Sequence, residues 1–310
     1  MTKDNKLLSI IVAVYMNEGS LYNTYIELKG ILENKLKKFR YEIIFVNDGS
    51  SDNSLKELIS IKAIDPGIKI INFSRNFGQL YAILAGFEYA EGDLIINISA
   101  DLQDPVEIIN QMVNKWEEGY KIVACERSDR EDNFISRITS KIFYGLIKIN
   151  EPKMPIGGFD YFLLDKCVYK KIAESTQRNT FLQGDILWFG FEPFFIPYTR
   201  KKRLFGKSRW YFWKKVKYFI DGVIYTSYMP IRLMSFLGFA VSAIGFIYAV
   251  LIFIAWLINK TPFSGYAPII MTILLVSGIL MIMIGIVGEY LWRIYDEVRA
   301  RPKYIIKDIF

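Results

Sequence analysis

The sequence predicts an α/β domain with a mostly parallel sheet, seated on a membrane and followed by two membrane-crossing helices. Three observations carry that reading. Short β-branched runs alternate with helix-length segments from Leu8 to Ala124. Clusters rich in Asp and Asn follow three successive runs. Towards the C-terminus two stretches with almost no charge each exceed the ~20 residues a helix needs to cross a hydrocarbon core.

The runs Leu8–Val14, Tyr41–Val46, Lys69–Phe73, Leu94–Ile98 and Ile122–Ala124 have the length and β-branched content of strands. Between them Leu21–Phe39, Ser54–Ile64, Phe77–Tyr89 and Pro105–Trp116 read as helices, the last with Pro at its first position and Asp104 as its N-cap. This alternation argues for helices on both faces of a sheet that binds ligands beyond the carboxyl ends of its strands. The second strand runs into Asn47-Asp48-Gly49-Ser50-Ser51-Asp52, the third into Ser74-Arg75-Asn76, and the fourth into Ser99-Ala100-Asp101-Leu102-Gln103-Asp104-Pro105. Each cluster alone reads most simply as a turn or cap. Three at successive strand ends favour one crevice, with Asp48, Gly49, Ser50, Asn76 and Asp101 as candidate nucleotide contacts.

Further on, 134–149 places Phe134, Ile138, Ile142 and Ile149 on one face and Arg137, Lys141 and Lys148 elsewhere. That pattern predicts a helix lying in the membrane interface, with core packing as the alternative. Trp210–Tyr228 repeats it, setting Trp210, Trp213, Ile220 and Ile224 against Lys214, Lys215 and Lys217. The nearly uncharged stretches are Leu233–Ile258 and Ala267–Trp292, the second holding only Glu289. Basic residues precede the first (Lys214, Lys215, Lys217, Arg232) and follow the second (Arg293, Arg299, Arg301, Lys303), while the hairpin between them holds only Lys260. The positive-inside rule then puts both termini in the cytoplasm of a two-span protein of the cell membrane. The expected division is a domain over 1–199, a basic juxtamembrane segment over 200–231, and a membrane region with a cytoplasmic tail over 232–310. No secretory signal is expected, because Leu8–Val14 ends in a polar turn.

Composition narrows the chemistry. The 310 residues include no His, which excludes imidazole acid–base catalysis and zinc–imidazole sites, and two Cys far apart, which argue against a disulfide framework. A net charge of +7 is compatible with nucleic acid, but the basic residues crowd beside apolar spans among Trp, Tyr and Phe. An anionic membrane surface fits them better. Asp101 and Gln103, two apart in a loop after a strand, can offer a carboxylate and an amide oxygen to Mg²⁺ or Mn²⁺, with a diphosphate completing the shell. Arg200–Lys217 holds nine basic residues and no acid, as does many a segment that meets lipid headgroups. Its Gly206-Lys207-Ser208 centre is the alternative: a loop that closes over a diphosphate.

These segments together resemble the membrane-bound family 2 glycosyltransferases of GT-A fold, among them dolichol-phosphate mannose synthases and, closer still, bacterial bactoprenol glucosyltransferases. The resemblance covers nearly the whole chain. It rests on Val12–Leu21 (VAVYMNEGSL), Val46–Asp52 (VNDGSSD), Phe73–Gln79 (FSRNFGQ), Ser99–Pro105 (SADLQDP), Gly157–Asp165 (GGFDYFLLD), Arg200–Trp210 (RKKRLFGKSRW) and the two spans. It implies inverting, metal-dependent transfer of a hexose-type sugar from a UDP-sugar to polyprenyl (undecaprenyl) phosphate at the cytoplasmic face. It further implies a homo-oligomer, a tetramer in the nearest relatives. Two spans are too few for a lipid flippase, so a separate protein would turn the product over. By position, the resemblance assigns the nucleoside to Tyr15 and Asp48 and the metal and diphosphate to Asp101 and Gln103. It makes Asp160 the base beside the sugar, gives the phosphates to Arg127, Arg137, Arg200 and Arg203, and has Ser208 help close the loop.

Two departures stand out. The family often has Asp where Ser99 stands, and its PVYNE motif here reads Ala13-Val14-Tyr15-Met16-Asn17-Glu18, which leaves open whether Asn17 or Glu18 does the acidic residue's work. Glu18 is carried as a candidate. These departures define the rival reading, an inactive membrane scaffold or nucleotide-sensing subunit of the same fold. A processive polysaccharide synthase fits less well, since Gln177-Arg178-Asn179 lacks the QxxRW pattern and two spans are too few for a pore.

Overall fold

The computed structural model describes residues 6–127, 145, 147–148, 151–155, 157–175, 180–201, 229–258 and 267–310. Most of the expected interface helix 134–149, the juxtamembrane helix 210–228, and the candidates Arg137, Arg203, Lys207 and Ser208 lie outside the described residues. The chain forms two compact units, 1–223 with 302–310, and 224–301.

The first unit alternates β1 (Leu7–Val14), α1 (Leu21–Lys35), β2 (Arg40–Asn47), α2 (Ser54–Ile64), β3 (Ile68–Phe73), α3 (Gln79–Tyr89), β4 (Leu94–Ser99), α4 (Ile108–Glu117) and β5 (Ile122–Arg127). It continues through β6 (Phe162–Asp165), α5 (Lys166–Glu174), α6 (Leu182–Trp188), β7 (Pro193–Tyr198) and, from the far end of the chain, β8 (Ile306–Ile309). One eight-stranded sheet results, in the order β7-β5-β6-β4-β1-β2-β3-β8. The pairs β1·β2, β1·β4, β2·β3 and β5·β7 are parallel, whereas β4·β6, β5·β6 and β3·β8 are antiparallel. Six strands run one way and β6 and β8 are reversed, so the sheet is mostly parallel with two antiparallel members. The antiparallel members are short, four residues each in β6 and β8, and carry no periodicity that sequence could register.

Strands buried on both faces explain the continuous apolar runs. Along β1, Leu8, Ile10, Val12 and Val14 pack with Leu21, Tyr25, Leu28 and Leu32 of α1 and with Ile109, Met112 and Val113 of α4. The opposite face takes α3, which lies so close to β1 that a side chain at Gly86 would meet Ile11 Cγ2 at 2.4 Å. Behind α3, Phe87 stacks edge-on against Tyr169 of α5 and Phe162 of β6.

Topology decides what gathers at one sheet edge. The carboxyl ends of β1, β2, β3, β4, β5 and β7 meet there, and because β6 runs antiparallel to β4 and β5, the residues just before β6 arrive at the same edge. Asp160 is among them. The last nine residues, expected as a tail of the membrane region, instead complete the sheet. Ile70 and Phe310 exchange both backbone hydrogen bonds (3.0 and 2.9 Å), Tyr304 stacks on Phe73 with ring centroids 4.9 Å apart, and Asn72 Nδ2 donates to Asp308 Oδ2 at 2.9 Å.

Helix α4 begins at Ile108, three residues later than Pro105, and its N-cap position is Glu107. Asp104 is not the cap, because its carboxyl is taken by groups from β4 and β7. The second unit consists of α7 (Met229–Leu257) and α8 (Ala267–Val298), which contain apolar segments of spanning length at Pro230–Tyr248 and Leu275–Val298. Glu289, costly in lipid, is paired within its own helix by Arg293 at 3.3 Å.

Candidate active site

The strand-end loops are held by one another. After β1, Met16 adopts a left-handed φ of 57°, and its N–H donates to Ser50 Oγ at 3.0 Å. Tyr15 remains 40% exposed at the rim. Glu18 turns towards the start of α2, where its carboxylate accepts from the N–H and side-chain amide of Asn53 at 3.1 and 2.7 Å. That is a helix-start contact, which the motif pattern did not reveal.

Asp48, following β2, is buried. Oδ1 accepts from Phe77 N at 2.7 Å, and Oδ2 from Gly78 N and Asn76 Nδ2, both at 2.9 Å. Its carboxylate thus shapes the Asn76-Phe77-Gly78 loop. Burial pushes its pKa up to about 6, against the lowering effect of the two backbone donors and Arg75. Above about pH 6 the ionised form accepts all three bonds; below it a proton turns one oxygen into a donor facing N–H groups. On the resemblance that makes Asp48 a nucleoside contact, the affinity for a nucleotide-diphosphate sugar, whose own phosphates do not titrate in this range, is expected to fall as pH drops from 7.5 to 5. An Asp48→Asn variant should bind weakly and without that pH dependence. Calorimetric titration across the range checks both, and a flat wild-type profile would contradict the assignment.

Gly49 is required by a close approach within the protein. At φ 63°, a Cβ there would sit 2.2 Å from the Arg75 carbonyl carbon and 2.5 Å from Asn76 N. Since backbone cannot move aside cheaply, Gly49→Ala is expected to cost about 2–4 kcal/mol. A melting temperature equal to that of the wild type would refute this.

The loop after β4 is clamped from two sides. Thr24 Oγ1 of α1 donates to Ala100 O at 2.9 Å, and Lys201 N donates to Gln103 O at 2.9 Å. Leu102 takes a left-handed φ of 53°, and Gln103 N donates to Asp101 Oδ1 at 3.3 Å, so the two proposed oxygen ligands share one tight turn. Ser99 Oγ beside them is buried and has no hydrogen-bond partner. Among the described residues no group of three or more His, Cys, Asp or Glu could hold a metal.

Opposite this turn lies a connected polar network. Arg127, at the end of β5, donates to Asp160 Oδ2 at 2.7 Å. Burial opposes the Arg127 charge, yet Asp160 and the Tyr198 hydroxyl outweigh it and hold the pKa above the usual guanidinium value. Tyr198 in turn donates to Asp104 Oδ1 at 2.9 Å, Arg200 Nε approaches the same oxygen at 3.5 Å, and Ser99 N donates to Asp104 Oδ2 at 3.3 Å. A relay of side chains thus ties Asp160 to the Asp101 turn. Asp104 and Tyr198, with Asn97 and Gln183, whose side-chain amides donate to Asp160 O and Oδ1, are the members that sequence reasoning missed. They come from separate elements with no local motif, and only the Asp-Pro pair at Asp104 gave a signal, which pointed to a cap.

A family model described as glycosyl transferase family 2 matches residues 9–189. The chain belongs to that family. An uncharacterized glycosyltransferase of Synechocystis sp. is 37% identical over 98% of this chain and 95% of its own length. A prophage-derived bactoprenol glucosyl transferase of Shigella flexneri is 36% identical over 97% of both chains. Among solved structures, mannosyl-3-phosphoglycerate synthase from Rubrobacter xylanophilus is 14% identical over 74% of each chain with a TM-score of 0.49. The eight-stranded sheet thus lies largely within the family 2 glycosyltransferase domain, and the two apolar helices follow that domain in sequence.

Proposed function

We propose that this family 2 glycosyltransferase moves a hexose-type sugar from a UDP-sugar to a polyprenyl phosphate, with undecaprenyl phosphate as acceptor. The observation that carries the reading is the placement of the Asp101–Gln103 turn and the Arg127–Asp160 pair at one sheet edge, linked through Tyr198 and Asp104. The acceptor is supported by the relatives that match nearly end to end and bear the name bactoprenol glucosyl transferase. The two apolar helices support a membrane site for the reaction, and the basic residues flanking them support cytoplasmic termini.

Asp101 and Gln103 suit a hard divalent cation, since both present oxygen and stand in one turn, but one carboxylate is too little without ligand oxygens from the donor diphosphate. When bound, Mg²⁺ or Mn²⁺ would neutralise charge on the departing diphosphate. The protein's own part is positional. Tyr15 at the rim, the loop held by Asp48, and Ser50 would take the nucleoside, while the forked donors of Arg127 and Arg200 suit phosphate oxygens. The acceptor phosphate, with a second pKa of ~6, is largely ionised at neutral pH. Its attack opposite the leaving diphosphate would invert the anomeric centre, and Asp160 would orient acceptor or sugar rather than take a proton. The reading further gives Arg137, Arg203, Lys207 and Ser208, outside the described residues, phosphate binding and loop closure, and it includes a homo-tetramer and a separate flippase for the product.

UDP release from a panel of UDP-sugars, measured with and without undecaprenyl phosphate, tests the acceptor. Stimulation by the lipid is expected. Equal release without it would remove the polyprenyl phosphate from the reaction.

A further inference from the structure

We infer that Gln183 is a positioning residue that sets the orientation of the Asp160 carboxylate, an inference that rests on the role proposed for Asp160 above. The two carboxylate oxygens are divided between two donors. Arg127 holds Oδ2 at 2.7 Å, and Gln183 Nε2 reaches Oδ1 at 3.1 Å while also donating to Phe159 O at 2.7 Å. On the backbone side, Asn97 Nδ2 of β4 donates to Asp160 O at 2.7 Å. Both amide orientations are fixed, because carbonyl oxygens accept only and the NH₂ groups must face them.

A second observation separates this clamp from ordinary packing. Gln183 is 5% exposed and Asn97 4%, yet Gln183 Oε1 and Asn97 Oδ1 are buried without a hydrogen-bond partner. An apolar side chain of the same size would avoid that unfavourable burial. The amides therefore serve through their N–H donors, and those donors converge on Asp160. Asp160 itself is 59% exposed at its side chain, so solvent leaves it free to rotate unless both oxygens are held. Gln183 stands in the first turn of α6.

The test uses the full-length protein in nanodiscs and the variants Gln183→Met and Gln183→Lys, each alone and combined with Asp160→Asn. Methionine preserves volume and removes the donor; lysine keeps a nitrogen donor of similar reach. The expected result is a kcat lowered about tenfold or more in Gln183→Met with donor and acceptor KM unchanged, and substantial recovery in Gln183→Lys. In the Asp160→Asn background Gln183→Met should change kcat by less than about twofold, since the two act as one unit. A packing role predicts the reverse order, with buried lysine worse than methionine, and multiplicative losses in the double variant; either result overturns the inference. If the melting temperature shows that Gln183→Met is unfolded, Gln183→Leu, which also removes the donor without adding charge, takes its place with the same expected outcomes. Wild-type activity in Asp160→Asn would remove the underlying role of Asp160 and this inference with it, whereas a slow Asp160→Asn beside a fully active Gln183→Met removes the inference alone.

Discussion

Asp101→Ala is expected to lower sugar transfer by about 10³-fold or more, with the protein folded and its membrane insertion unchanged. Asp101 is the one carboxylate in the Asp101–Gln103 turn, Asp104 beyond it being taken by Tyr198 and Arg200, and no group of three or more acidic residues among those described could replace it. Its loss should also abolish the dependence of donor affinity on Mn²⁺, seen by titrating UDP with and without the metal. Retention of more than a tenth of the wild-type rate would show that the diphosphate is held by other groups. The Gln103→Ala change should be milder, because an amide oxygen adds a ligand but no charge.

Asp160→Asn is expected to lose only part of the rate, about 10- to 100-fold, which is less than a general base usually contributes at its upper range. The acceptor phosphate is already ionised at neutral pH, and asparagine still offers an oxygen to Arg127. Rates measured at pH 7.5 with saturating donor decide the matter. A fall to the level of Asp101→Ala would mean that Asp160 removes a proton or bears a charge that the reaction cannot spare.

Much of the site was legible because strand ends punctuate the sequence with polar clusters. Asp48, Asn76, Asp101 and Gln103 follow apolar runs, and burial of those runs on both faces makes the pattern continuous. Roles were harder to read than positions. Asp48 and Gly49 were expected to face a ligand, yet the structure turns them towards the Arg75–Gly78 backbone, a loop-to-loop approach that only the folded register β2·β3 creates. Glu18 likewise meets Asn53 at a helix start. Asp104 resembled a cap because Pro105 follows it, but the hydroxyl of Tyr198 and the Arg200 guanidinium, from the β7 edge of the sheet, compete for its carboxyl. The antiparallel strands escaped notice for a related reason. Four-residue strands such as β8 are fixed by pairing partners far away in sequence, and their own residues carry too little pattern to declare them.

The reaction itself is tested most directly by the mass of the lipid. Purified protein in nanodiscs, Mn²⁺, a panel of UDP-sugars and undecaprenyl phosphate should give one product, the lipid phosphate heavier by a single sugar, absent with EDTA and absent in Asp101→Ala. No glycosylated lipid with any donor, from protein shown to be folded and to bind UDP, would contradict the transferase and leave a nucleotide-sensing membrane protein in which Ser99 has replaced the acid that catalysis needs.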